Sequence, residues 1–241
     1  MKPARETHGV KYYQYDIDEY PFEKLVLEFF EVENLENLHD LLTKEGQARI
    51  NSELFTNDND AHTELHRRFY KKLNSTWPEF LNVYRSFVKN FIAPILNTDE
   101  IIFQSTPSFR IQFPDNIAVG GNAGDDVGEY GWHRDSDPGY NHPVTEKNFI
   151  IPLTNSRETA TVYIETFPDS RDYQPATMNV GEVFNFNGAL CKHGNKKNIT
   201  GKCRLSFDFR VVLPEDYDEN YSKNSKLSTK KFIIGGYYDR I

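Results

Sequence analysis

Two spacings of apolar residues divide the chain. Up to about residue 98 they recur at helical intervals. Leu35, Leu38, Leu41 and Leu42 mark one such stretch. Leu65, Phe69 and Leu73 fall one turn apart with Arg and Lys between them, and Asp58 or Asp60 is placed to cap that helix. Pro78 and Glu79 suit the first turn of a third helix. Phe80, Tyr84, Phe87, Val88 and Phe91 form its apolar stripe, and Pro94 is expected to end it. From residue 99 the pattern becomes short apolar or alternating runs. Strands are expected near 101–104, 108–113, 148–153, 160–167, 182–186 and 203–213. Pro107, Pro114, Asn116, Gly120, Gly121, Pro168 and Gly181 punctuate them. Many short strands with no helices between them predict a sandwich or barrel, and a jelly roll suits this length. The expected fold class is therefore mainly β with N-terminal helices. Residues 1–98 form a helical region packing on a jelly-roll core over 99–241, the two making one structural domain. The polar tail over 215–231 is expected to run along the surface, and 232–238 to pack back on the body.

Composition narrows the function classes. The chain has 241 residues, enough for one large β-type domain or a smaller core with added helices. Its 18 Phe and 14 Tyr favour a β-rich core. No run approaches the roughly 18 apolar residues of a membrane span, so no membrane partner is expected. The first residues are polar with no apolar stretch, so no secretory signal is expected. Two cysteines, Cys191 and Cys203, exclude a disulfide framework and make the cytoplasm the expected compartment. A net charge of −8 argues against nucleic acid as a partner. Lys192, Lys196, Lys197 and Lys202 cluster around His193, either as a solvated turn or as a local attractor for an anionic substrate.

The candidate chemistry lies in Gly131-Trp132-His133-Arg134-Asp135, then His193, then Arg204-Leu205-Ser206. On a strand, positions i and i+2 share a face, so His133 and Asp135 can aim at one metal ion while Arg134 points away. A third ligand must come from a distant strand. His193 follows an apolar strand and turn, whereas His142 sits in a polar loop, so His193 is the better candidate. Asp137 is a weaker rival to Asp135. Two imidazoles and one carboxylate on one face of an iron ion leave the opposite positions open. In the alternating run 204–210, Arg204, Ser206, Asp208 and Arg210 share one face, and Leu205, Phe207 and Phe209 the other. The planar fork of Arg204 matches a carboxylate, and Ser206 can add a hydrogen bond. The bland alternative pairs Arg204 with Asp208 on an outward face. Arg110 and Gln112 could face the same cavity, and Asn148 could contact a co-substrate. Asn187 could orient a ligand, and Cys191 could approach the cavity. The loop 120–126 could cover the substrate. Asp125, Asp126, Glu129 and Asp137 near the mouth would favour a cationic substrate.

Taken together, these residues resemble the Fe(II)/2-oxoglutarate-dependent dioxygenase superfamily in its double-stranded β-helix, cupin-like form. The stretches 131–137, 146–154, 193–195 and 198–210 are similar to the StrG-like group named from streptomycin biosynthesis. The resemblance implies that His133, Asp135 and His193 hold Fe(II), and that Arg204 and Ser206 bind the distal carboxylate of 2-oxoglutarate. Arg110, Gln112 and Asn148 are further candidate cofactor contacts. It implies a reaction using O2 that hydroxylates an unactivated C–H of a small molecule and releases succinate and CO2. Retention of Asp135 argues against halogenation. The competing classes are a 2-oxoglutarate-independent metal dioxygenase, a zinc hydrolase and a metal-binding jelly-roll module. A dioxygenase without the co-substrate would need neither Arg204 nor Ser206, and a zinc hydrolase would turn over without O2.

Overall fold

The computed structural model describes residues 1–52, 63–118, 132–224 and 231–241. The chain opens with β1 (Arg5–Thr7) and β2 (Val10–Gln14). Helices α1 (Phe22–Phe30), α2 (Lys44–Ser52), α3 (Glu64–Thr76), α4 (Pro78–Phe87) and α5 (Ala93–Leu96) follow. The strands β3 (Ile102–Gln104), β4 (Ser108–Gln112), β5 (Lys147–Pro152), β6 (Val162–Ile164), β7 (Gln174–Ala176), β8 (Glu182–Phe186), β9 (His193–Asn195), β10 (Arg204–Val212) and β11 (Tyr238–Arg240) complete it. Among the described residues no helix is long and apolar enough to cross a membrane.

The strands form two antiparallel sheets. The larger runs β1-β2-β8-β5-β10-β3-β11, with β4 also paired to β10; the smaller runs β7-β6-β9. The sheets face each other: Tyr12, Ile150, Phe184 and Phe186 from the larger share one apolar cluster with Val162, Ile164 and Ala176 from the smaller. Strand β10 shows why its alternation matters. Leu205, Phe207, Phe209 and Val211 point outward into a cluster shared with the helices. The stripes Phe22, Leu25 and Phe30 of α1, Leu65, Phe69 and Leu73 of α3, and Phe80, Tyr84 and Phe87 of α4 meet them there. The Phe69 ring stacks on Phe109 at 4.2 Å between centroids and lies 5.6 Å from Phe207. The helices thus brace the outer face of the large sheet and leave its inner face to Arg204, Ser206, Asp208 and Arg210.

Several local expectations need correction. The first ten-odd residues are not helical: β2 pairs with β8 and carries β1 at the sheet's edge. The stretch Leu35–Leu41 is a 3-10 helix kinked at Asn37, with the Asn34 side chain capping it. Helix α3 is capped by Thr63, whose hydroxyl accepts from the His66 amide at 3.3 Å. Asp58 and Asp60 lie outside the described residues. Pro94 does not end its helix. A π turn over Val88–Ile92 precedes it, and the chain stays helical to Leu96, where Asn97 takes a left-handed cap at φ 56°. The wider π turn loosens the hydrogen-bond ladder at the point where proline lacks an N–H. The run expected over 160–167 is a strand only over Val162–Ile164. The C-terminal segment packs as expected, with Phe232, Tyr237 and Tyr238 buried beside Ile102 and Val212.

Candidate metal centre

His133 and His193 sit opposite each other on paired backbone. The His133 amide donates to the His193 carbonyl at 3.0 Å, and the His193 amide returns the bond at 2.9 Å. Asp135 is not on a strand with His133, as the i, i+2 argument assumed. It begins a turn, its amide donating to the Gly188 carbonyl at 2.9 Å. The turn nonetheless brings its carboxylate to the two imidazoles. Asp135 Oδ1 lies 3.5 Å from His133 Nε2 and 3.7 Å from His193 Nε2. The ligating atoms of the three residues all fall within 4.8 Å of one another, and among the described residues this is the one His/Cys/Asp/Glu group so arranged.

The surroundings hold these groups in metal-binding form. Asp135 is 1% exposed. Burial opposes its charge, but Arg210, His133 and the other histidines hold its carboxyl well below the usual range. Its second oxygen, Oδ2, accepts from Asn148 Nδ2 at 2.5 Å and from Arg210 Nε at 3.0 Å. Burial, with His133 adding to it, pushes His193 down to about 4, so its ring is neutral near pH 7. Its Nδ1 lies 3.0 Å from the Cys191 carbonyl, which can only accept. Nδ1 therefore carries the proton, and Nε2 turns its lone pair to the cluster. The His133 ring stacks on Tyr140 at 4.1 Å. Two glycines allow this packing. A Cβ at Gly194 would stand 2.7 Å from the Trp132 indole, and one at Gly188 would stand 2.7 Å from the Asn148 carboxamide.

The inner face of β10 forms the adjoining wall. Arg204, Ser206, Asp208, Arg210, Arg110 and Asn148 line one cavity with the two histidines. Arg204 is 2% exposed. Its Nη1 donates to Ser206 Oγ at 2.9 Å and its Nε to Gln112 Oε1 at 3.2 Å. Gln112 is fully buried behind it and donates to the Thr159 and Lys196 carbonyls, so it anchors the guanidinium rather than the cavity surface. Arg204 does not lie on an outward face. The acid expected there, Asp208, instead bonds Arg110 Nε at 2.7 Å and Arg210 Nη1.

Other candidates fall elsewhere. His142 pairs with Glu146 at 2.8 Å and packs on Phe232. Asp137 accepts from the Arg134 amide, and the Arg134 side chain points away to Asp169 and the Leu190 carbonyl. Asn187 is exposed and bonds the Leu190 amide. Cys191 is buried in the cluster between the sheets, where burial pushes its thiol up to about 11. Of the lysines, Lys202 pairs with Glu36, Lys197 with Asp115, and Lys196 sits over the Tyr163 ring. Those three serve the surface rather than the cavity. The loop 120–126, with Asp125 and Asp126, and residues Glu129 and Gly131 lie outside the described residues. The link from Arg210 to Asp135 was not anticipated. Its sequence signal is a second arginine on the cavity-facing side of β10.

No protein-family model matches the chain. Among solved structures it is similar to the non-heme alpha-ketoglutarate-dependent carbocyclase SnoK from nogalamycin biosynthesis, at a TM-score of 0.48 and 12% identity, covering 84% of this chain and 79% of that one. It is also similar to AviO1 from Streptomyces viridochromogenes Tue57, at a TM-score of 0.47 and 16% identity, covering 86% and 90%. In sequence it is 31% identical over 228 residues to the streptomycin biosynthesis protein StrG of Streptomyces griseus, covering 95% of this chain and 96% of StrG. With that identity running nearly end to end in both proteins, the chain belongs to the StrG family.

Proposed function

We propose that this protein is a non-heme Fe(II)- and 2-oxoglutarate-dependent oxygenase that hydroxylates an unactivated C–H of a small molecule. The observation carrying this reading is that two imidazole Nε2 atoms and one carboxylate oxygen converge beside a cavity whose wall presents a buried arginine and serine. The donor set suits iron(II): two imidazole nitrogens and one carboxylate oxygen on one side leave the other side open. The strand order supports reading the paired sheets as a double-stranded β-helix, with β4, β10, β5 and β8 in one layer and the His133 segment, β9, β6 and β7 in the other. Kinship with a streptomycin biosynthesis protein supports a small-molecule substrate.

In this reading His133, Asp135 and His193 hold the ion. Fe(II) with 2-oxoglutarate and O2 supplies the oxidising power for C–H cleavage, with succinate and CO2 released. The chain's own residues position the reactants. Arg204 binds the distal carboxylate of 2-oxoglutarate through its planar fork, and Ser206 Oγ donates beside it. Gln112 keeps that fork from rotating. Ile150, Val162 and Phe186 line the cavity and keep water from the reacting C–H. Arg110 and Asn148 enclose the same space from β4 and β5. A test is succinate release from 2-oxoglutarate in air. The expected result is release that requires added Fe(II) and is lost in His193→Ala. Oxygen uptake with iron but without 2-oxoglutarate would instead favour a metal dioxygenase that needs no co-substrate.

A further inference from the structure

We infer that Arg210 is a positioning residue that, with Asn148, confines Asp135 to binding metal through one oxygen. This rests on the metal-binding part of the function proposed above. A carboxylate oxygen has about two lone-pair sites. On Asp135 Oδ2 they are met by Arg210 Nε at 3.0 Å and Asn148 Nδ2 at 2.5 Å. Oδ1, by contrast, faces both His Nε2 atoms. The guanidinium is itself fixed: its Nη1 bonds Asp208 Oδ2 and Gln104 Oε1, and Asp208 Oδ1 is held by Arg110. Strand register builds this lock, because Arg210 on β10 stands directly opposite Asn148 on β5. All four of Asp135, Asn148, Asp208 and Arg210 are buried, which strengthens these bonds.

Denticity matters because open positions are few. A roughly octahedral ion has six. Two imidazoles and one oxygen of Asp135 would fill three, leaving three for water or for the reactants. Were Oδ2 to swing in as a second donor, the protein itself would fill one of those exchangeable positions. Arg210 and Asn148 hold Oδ2 out of reach.

The test uses Mn(II) alone, with neither 2-oxoglutarate nor O2 required. Water-proton relaxation at saturating Mn(II) reports the water molecules bound per ion, whatever the affinity. Arg210→Met is expected to lower the enhancement per bound ion by about a third, one water of three being displaced. Arg210→Lys, still a donor to the same oxygen, is expected to keep the wild-type value. A merely structural role would lower thermal stability and leave the per-ion enhancement unchanged, which would overturn the inference. Should Arg210→Met not fold, Asn148→Ala keeps the ion pair and carries the same test: a fall in the same direction supports it, and an unchanged value overturns it. Wild-type protein that binds no Mn(II) would overturn the metal-site reading together with this inference. Wild-type binding with unchanged variants would overturn this inference alone.

Discussion

At the residue scale, the assignment of greatest consequence is Arg204. A charged group bonded in a buried site contributes about 1.5–3 kcal/mol. Arg204→Ala should therefore weaken 2-oxoglutarate binding by about 10- to 100-fold, measured by anaerobic calorimetry with Fe(II) present. Arg204→Lys should recover only part, because an ammonium lacks the fork. Unaltered affinity in the alanine variant would remove Arg204 from the co-substrate site. The convergence of positions 133, 135 and 193 was legible because few histidines follow position 135 and a ligand needs a fixed backbone. The local reason was not: a turn anchored on Gly188, rather than a strand, carries Asp135 to the cluster. The alternation of β10 placed Arg204 and Ser206 correctly on the inner face. It could not reveal that Arg210 reaches Asp135, since that contact depends on the pairing of β10 with β5.

At the element scale, long apolar runs were legible and so was the short β3, expected near 101–104 and observed over Ile102–Gln104, but β1, β2, β7 and β9 were not. β4, β5, β8 and β10 bury continuous or alternating apolar sets, and each lies close to where the pattern places it. β9 is His193-Gly194-Asn195, with no apolar residue to mark it, and it is held by pairing with β6 on one side and with the His133 backbone on the other. β1 and β2 were missed because so short a strand pair carries little periodicity. Their attachment has a pH signature. Arg5 bonds both oxygens of Glu182 on β8 and lies over the Tyr12 ring. Burial opposes the Glu182 charge, but Arg5 and Asn179 outweigh it and hold its carboxyl below the usual value. A lowered folded-state value means that this stabilisation is complete above the ordinary carboxylate range and fades as pH falls through the lowered one. Hydrogen exchange, corrected for intrinsic rates, should show β1 and β2 amides keeping their protection down to the ordinary carboxylate range and losing it as pH falls below that range through the lowered Glu182 value, while β10 keeps its own. Arg5→Met should remove that difference. Equal pH dependence in the variant and the wild type would locate the cause elsewhere.

At the scale of the whole molecule, the helices and the large sheet share one apolar cluster. Phe69 of α3 touches Phe109 of β4 and Phe207 of β10, the strands that carry Arg110 and Arg204 on their other face. Phe69→Ala should cost about 3–5 kcal/mol and should lower a single cooperative unfolding transition seen equally by helix and aromatic signals. A helical transition separating from that of the sheet would show that the two layers fold independently. The helical layer was legible from its 3.6-residue stripes. Its role as the brace behind β10 became visible only from the packing.

The central claim is that His133, Asp135 and His193 present iron to a chelating keto acid held by Arg204. Its most direct measurement is anaerobic titration of 2-oxoglutarate into the Fe(II)-loaded protein, followed by visible absorption. The account predicts a weak charge-transfer band that saturates at one equivalent per chain and is absent from His193→Ala. Fe(II)-loaded wild-type protein that gives no band, or a His193→Ala variant that gives the same one, would contradict it.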